Sequence, residues 1–187
     1  SFSDGGLYLD VHRALNRAEE LISGGADVID LGAQSTRPGA DFVEPELEIN
    51  RLLPALKAIR DRFPNALISV DTFNSHVAFK AIEAGADWIN DISSGRHDNQ
   101  ILNVVAEAKC PFVLTHSRGN SKNMNSLSIY NDLIKDIDGE LMQSIDKALE
   151  AGIDMKNLII DPGIGFAKNT EQNLIILNNL QHFSYNK

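Results

Sequence analysis

The sequence predicts an α/β chain of repeated βα units, the pattern of a TIM-type (β/α)8 barrel, with about five of the eight strands present. Three observations predict it: a recurring phrase, amphipathic stripes between its copies, and short apolar runs without polar alternation. The phrase Gly24-Gly25-Ala26-Asp27-Val28-Ile29-Asp30-Leu31 returns as Ala84-Gly85-Ala86-Asp87-Trp88-Ile89-Asn90-Asp91. A weaker copy runs Ala151-Gly152-Ile153-Asp154 and continues as Leu158-Ile159-Ile160-Asp161. Each copy ends a helix on glycine, which takes the left-handed conformation without a Cβ penalty, and then feeds a buried strand that stops on a carboxylate or carboxamide.

The helices follow from period. Val11, Leu15, Ala18, Leu21 and Ile22 form one stripe; Ile49, Leu52, Leu53, Leu56, Ile59 and Phe63 form a second. Pro54 lies inside the second, which predicts a kink or a later start. Val77, Ala78, Ala81 and Ile82 give a third, and a weaker helix is expected around 100–108. Leu133, Ile137, Leu141, Ile145 and Leu149 give a long one. Leu174, Leu177 and Leu180 give the last, opened by Thr170 as N-cap.

Between them lie Val28–Leu31, Leu67–Val70, Trp88–Ile92, Phe112–Thr115 and Leu158–Ile160, runs that suit parallel strands buried on both faces. Strict βα alternation permits an open doubly wound sheet or a closed barrel. The dinucleotide fingerprint of the open sheet fails: Gly163 and Gly165 have the first spacing, but Lys168 occupies the third glycine's position. A barrel takes about 250 residues and eight strands. Ser1 is not a methionine, and Phe2-Ser3-Asp4-Gly5-Gly6 reads as the middle of a loop. Residues 1–187 are therefore expected to be one partial barrel, lacking the first strand and the last two βα units. Such a piece is expected to be inactive alone and, with open strand edges, to aggregate or stay partly unfolded.

Composition bounds the partners. With 43% apolar and 23% charged residues the chain suits one globular domain, and no apolar run approaches the roughly 20 residues that span a bilayer, so no membrane partner is expected. A net charge of −9 and a pI near 4.9, with no basic cluster, argue against nucleic acid. The single Cys110 excludes an internal disulfide framework and reads as a small core residue before Pro111-Phe112.

In a barrel, chemistry collects where strands end. The strands here end on Gly32 with Gln34, Ser35, Thr36 and Arg37; on Asp71-Thr72 and Asn74; on Asn90-Asp91; on Thr115-His116; and on Asp161-Pro162-Gly163. Any one such Asp or Asn is equally a cap for the next helix, and Asp91 and Asn74 need be no more than that. Asp71, Asn90 and Asp161 converging on one mouth are different. Inward carboxylates and a carboxamide are costly to bury without partners, so they call for a ligand rich in N–H donors. Ser35-Thr36-Arg37-Pro38-Gly39 suits phosphate or carboxylate, and equally a solvated loop. Phe166 and Lys168 read as an apolar wall and an anion contact, or as packing and capping. His12, His76, His97 and His182 read as ordinary helix or loop residues; His116, at a strand end, is the one histidine drawn toward the site. The segment Ser121–Ser128 reads as flexible and polar.

Six phrases then resemble one family, the dihydropteroate synthases: SFSDGG (1–6), GADVIDLGAQSTRPGA (25–40), SVDTFN (69–74), AGADWINDISSG (84–95), LTHSRGN (114–120) and DPGIGFAKNTEQN (161–173). They keep the family's order across nearly the whole chain; STRPG together with DPGIGFAK is the more specific pair. The resemblance implies a transferase of folate biosynthesis and sulfonamide target, which condenses 6-hydroxymethyl-7,8-dihydropterin diphosphate with p-aminobenzoate. It implies that Asp71, Asn90 and Asp161 hold the pterin, Asp161 at the edge with the exocyclic amine and Asp71 on the dihydro-ring side. Asp71 and Arg37 carry catalysis in that reading, the first stabilising a pterin cation, the second taking up charge on departing pyrophosphate beside Mg2+. Thr36 shares the diphosphate loop, Phe2 and the SFSDGG segment form the other mobile loop against the substrates, Ser35, Pro38 and Phe166 line the p-aminobenzoate side, and His116 is a further substrate contact. No metal ligand is assigned within this sequence, because the family's magnesium-contact Asn would precede Ser1. Its pterin-contacting Lys and its diphosphate-binding Arg and His would follow Lys187, and Ser117-Arg118-Gly119 departs from the usual loop. A homodimer, or fusion to other folate-pathway domains, is compatible with this; so are cytoplasmic and mitochondrial locations. The rival readings are the pterin-binding barrel of a folate-dependent methyltransferase and a non-catalytic scaffold barrel.

Overall fold

A computed structural model describes residues 10–37 and 39–185. Among them run α1 (Val11–Ser23), β1 (Val28–Gly32), α2 (Pro45–Arg62), β2 (Leu67–Asp71), α3 (Ser75–Glu83) and β3 (Trp88–Asp91). Then follow α4 (Gln100–Ala108), β4 (Phe112–Thr115), α5 (Leu133–Glu150), β5 (Leu158–Asp161) and α6 (Thr170–Asn178), with 3-10 turns at Met124–Leu127, Met155–Asn157 and Leu180–Phe183.

The recurring phrase is a helix stop. Gly25, Gly85 and Gly152 all sit at positive φ (92°, 101° and 96°). At each, the residue after the glycine donates back to the third-last helical carbonyl: Ala26 to Leu21, Ala86 to Ala81, Ile153 to Ala148, at 3.0 Å in all three. That is the Schellman closure, which satisfies carbonyls the helix end would leave bare and turns the chain into the next strand.

The five strands form one parallel sheet in the order β1-β2-β3-β4-β5. Every strand lies beside its successor, with none of the order reversal that defines a doubly wound sheet, so the sheet is the arc of a barrel. Ile29, Ile68, Val70, Ile89, Phe112 and Leu114 face the helices and pack with Leu52, Leu56, Ile59, Val77 and Ile101 in the main core. Alternation then turns the residues between them to the inner face.

Four expectations are corrected. The second helix starts at Pro45 and runs unbroken through Pro54; Asn50 and Pro54 are both exposed, so the lost backbone bond faces water while Glu48, Leu52, Leu56 and Ile59 anchor the buried side. The cap of α6 is Asn169, not Thr170, because Asn169 and Gln172 close a reciprocal capping box. On that helix Ile176 is buried, whereas Leu174 and Leu177 lie exposed, as does Leu180 in the 3-10 turn that follows. The 121–128 segment is held on both sides: Gly39 N donates to Ser121 O (2.8 Å), Gln172 Nε2 to Ser128 O (2.9 Å), and Met124 is buried.

Candidate functional site

The register places Gly32, Asp71, Asn90, Val113 and Ile159 in one inward layer, and Thr115 and Asp161 in the layer above. Asp71, Asn90 and Asp161 therefore share the inner face at the C-terminal ends of β2, β3 and β5. Gly32 makes room for the first: a Cβ there would stand 3.2 Å from the Asp71 Cβ and 3.3 Å from its Oδ2. Burial, and then the charge of Asp30, push the Asp71 carboxyl well above the usual carboxylate range. No described residue donates a hydrogen bond to it. Asn90 Nδ2 reaches Asp30 Oδ2 (3.3 Å), while Asp161 accepts Gly163 N at Oδ1 (2.8 Å) and the Thr115 hydroxyl at Oδ2 (3.5 Å). Asp91 and Asn74 are loop builders. Asp91 faces outward and accepts Ser93 N and Gly95 N (2.7 Å each); Asn74 caps α3 through His76 N and Val77 N.

Above this layer the β1–α2 loop crosses to the β4–α5 loop. Gln34 braces it, donating to Asp41 O and accepting Val43 N, and Ser121 Oγ donates to Ala40 O (2.8 Å). Beneath this strap lies a cavity of about 600 Å³, walled by Ser35, Thr36, Phe42, Phe73, His97 and Phe166, with Arg96, Arg118 and Lys122 supplying positive charge. Phe73 and His97 meet edge to face, centroids 4.6 Å apart, and Phe42 leans on both. Thr36 is buried, and its Oγ1 has no hydrogen-bond partner among the described residues. An unmet buried hydroxyl costs about 1–3 kcal/mol, which a ligand's polar group would recover. The wall does not include Asp71, Asn90 or Asp161, so the mouth offers a polar inner floor and an aromatic, cationic side chamber.

Of the expected site residues, Ser35, Thr36 and Phe166 come together in this wall, and Arg37 lies exposed on the same loop. Phe2 and Pro38 fall outside the described residues. His116 is corrected. Its ring is buried, Nδ1 lies 2.8 Å from Lys168 Nζ, and Nε2 lies 3.1 Å from Glu140 Oε2, so both nitrogens are engaged by the protein. Lys168 is likewise turned inward, onto the carbonyls of Gly163 and Phe166 (2.9 Å each). His97, expected to be an ordinary loop residue, stands in the cavity wall.

Sequence reasoning passed over Asp30 and Glu48. Asp30 had a signal, since it aligns with Asn90 in the recurring phrase. Glu48 had none: it reads as one acid among several on α2, yet it is 1% exposed and its Oε1 has no partner among the described residues. Burial raises its proton affinity, partly offset by a bond with the Thr72 side chain. Among the described residues no group of three or more His, Cys, Asp or Glu gathers as a metal site.

Residues 1–187 match the family model described as pterin binding enzyme. The chain is 45% identical over 184 residues to the dihydropteroate synthase of Bacillus subtilis (strain 168), covering 98% of this chain and 62% of the relative. It is 45% identical over 185 residues to the mitochondrial folate synthesis bifunctional protein of Arabidopsis thaliana, covering 96% of this chain and 33% of that one. The Yersinia pestis dihydropteroate synthase, solved as a sulfonamide drug complex, superposes with a TM-score of 0.94 at 38% identity, over 99% of this chain and 66% of that one. The chain thus spans less than two thirds of the length of these relatives.

Proposed function

Because the chain belongs to the pterin-binding enzyme family, we propose that it supplies the central βα units of a dihydropteroate synthase. The whole enzyme would join a dihydropterin diphosphate to p-aminobenzoate, releasing pyrophosphate. The observation that carries the reading is the inward set Asp71, Asn90 and Asp161, with the Asp71 carboxylate buried and unmatched by any described donor. A pterin edge offers parallel N–H donors to such acceptors, and a cation formed as the C–O bond ionises is the charge a buried carboxylate stabilises most.

The other residues take roles from where they sit. Asn90 and Asp161 hold the ring, Asp161 with one oxygen already spent on Gly163 N. Thr36 and Arg37, on the strap, face the diphosphate, the guanidinium taking up charge as pyrophosphate leaves. Ser35, Thr36 and Phe166 turn toward the aromatic chamber, whose rings and cations suit an aryl carboxylate. His116 moves from substrate contact to support. Mg2+ belongs to this proposal as a further acceptor of pyrophosphate charge, but the described residues do not assemble a site for it. Residues 1–187 would form one partial barrel, and the bifunctional plant relative supports fusion to other folate-pathway domains.

Calorimetric titration of the full-length protein with p-aminobenzoate or a sulfonamide, with and without pyrophosphate, tests the reading. Saturable binding that requires pyrophosphate is expected. No binding in either arm would favour a pterin-binding methyltransferase instead.

A further inference from the structure

Lys168 is 9% exposed, and its ammonium is enclosed by two βα loops. Its Nζ lies 2.9 Å from Gly163 O, 2.9 Å from Phe166 O and 2.8 Å from His116 Nδ1, with His116 O at 3.3 Å. An ammonium has three N–H bonds, and these partners use all three. Donation to Nδ1 fixes the imidazole tautomer with its hydrogen on Nε2, which then donates to Glu140 Oε2 (3.1 Å). Glu140 is held in turn by Arg118, through Nε at 3.0 Å and through the terminal nitrogen. Arg118 lies over the Tyr130 ring, 3.9 Å from its centroid. With Lys168 protonated, the row is cation, neutral imidazole, carboxylate, cation. Burial and the Lys168 charge lower His116 to about 4, which keeps the ring neutral in that row.

The same two loops touch at their backbones. His116 N donates to Asp161 O (2.8 Å), and Gly163 packs so close to His116 that no side chain fits between. The carbonyls that Lys168 grips belong to Gly163, whose N–H holds the Asp161 carboxylate, and to Phe166, which walls the chamber.

We infer that Lys168 is a positioning residue for the p-aminobenzoate chamber: its ammonium pins the Phe166 wall and the Asp161 end of β5 to the end of β4, and it binds no substrate anion. This rests on the function proposed above. Asp71 ends β2 and Arg37 lies on the β1–α2 loop, so loosening the clamp should spoil the second substrate's fit more than the chemical step.

The test is steady-state kinetics of the full-length protein with Lys168→Met, which keeps the stem, and Lys168→Ala, which leaves an ammonium-sized space. For Lys168→Met, KM for p-aminobenzoate should rise about tenfold or more while kcat changes less than about threefold. For Lys168→Ala, added ethylamine should lower that KM again, and the bulky tetramethylammonium ion should not. Wild-type KM in Lys168→Met would overturn the inference. So would a rise confined to the KM of the pterin diphosphate, which would make Lys168 an anion contact. Equal losses in every parameter without amine rescue, or failure of both variants to fold, would assign Lys168 to stability and overturn it as well. A wild-type enzyme that makes no dihydropteroate would instead sink the proposed function.

Discussion

Gly163→Ala probes the joint between the two loops that frame the site. An alanine methyl there would lie 1.8 Å from the His116 carbonyl oxygen and 2.9 Å from its carbonyl carbon, on a backbone at φ +73°. A carbon settles no closer than about 3.3 Å to a carbonyl oxygen, so the loops must part by roughly 1.5 Å. The left-handed backbone costs a non-glycine residue about 1–2 kcal/mol, and the forced repacking about 1–3 kcal/mol more. A total of about 2–5 kcal/mol should lower Tm by at least about 4 °C for a domain of this size. The displacement also moves Asp161, whose carbonyl accepts His116 N and whose carboxylate accepts Gly163 N. Misplacement by about 1 Å costs on the order of 100-fold in rate, so kcat/KM should fall by about that factor. Gly139, inside α5 with nothing within 4 Å of a built Cβ, is the control; Gly139→Ala should be neutral or stabilise by up to about 1 kcal/mol. Thermal melts and steady-state kinetics of the two full-length variants decide it. A Gly163→Ala protein that melts within about 1 °C of wild type with unchanged kinetics would refute the close approach.

Asp71→Asn should trade activity for stability. The folded-state proton affinity of Asp71 is raised by burial and by Asp30, so wild type carries a burial penalty at pH above the folded pKa. The penalty disappears below the unfolded value of about 3.9. The variant's advantage in urea melts should therefore be largest near neutrality and vanish at the acid end, and a variant no more stable at pH 7 would contradict it. Lys168 has the opposite sign. Burial lowers it to about 7, against Asp161 and Glu140, which raise it, and Arg118 and Arg96, which lower it further. Between pH 7 and the unfolded value of about 10.4, wild type should gain stability relative to Lys168→Met; a flat difference across that window would show that the amine titrates elsewhere.

Much of the fold was legible because its signals are local. Glycine two places after α1, α3 and α5, with an apolar run beyond it, specifies the Schellman stop and the buried strand, whatever the rest of the chain does. Alternation along those runs also turns Asp71, Asn90 and Asp161 inward once the neighbouring residues are assigned to the helix side. What failed was decided by distant partners. His116 looked available because nothing nearby in sequence announces Glu140, 24 residues on, or Lys168, 52 residues on. Lys168 itself reads as an anion contact, or as a cap, until its loop folds back over Gly163. Asn169 and Thr170 are both good caps, and only the reach of Gln172 chooses between them. Pro54 breaks a helix in isolation, but here the buried residues on either side of it hold the two halves together. The aromatic chamber needed three loops from three strands, with Phe42, Phe73 and His97 each unremarkable alone.

The most direct measurement is formation of dihydropteroate by the full-length protein from dihydropterin diphosphate and p-aminobenzoate, compared with its Asp71→Asn and Asp161→Asn variants. Turnover by wild type is expected, with kcat/KM lower by about 100-fold or more in Asp71→Asn and pterin binding weakened in Asp161→Asn. No product from wild type, or wild-type rates in both variants, would contradict the assignment of the inward carboxylates to the pterin.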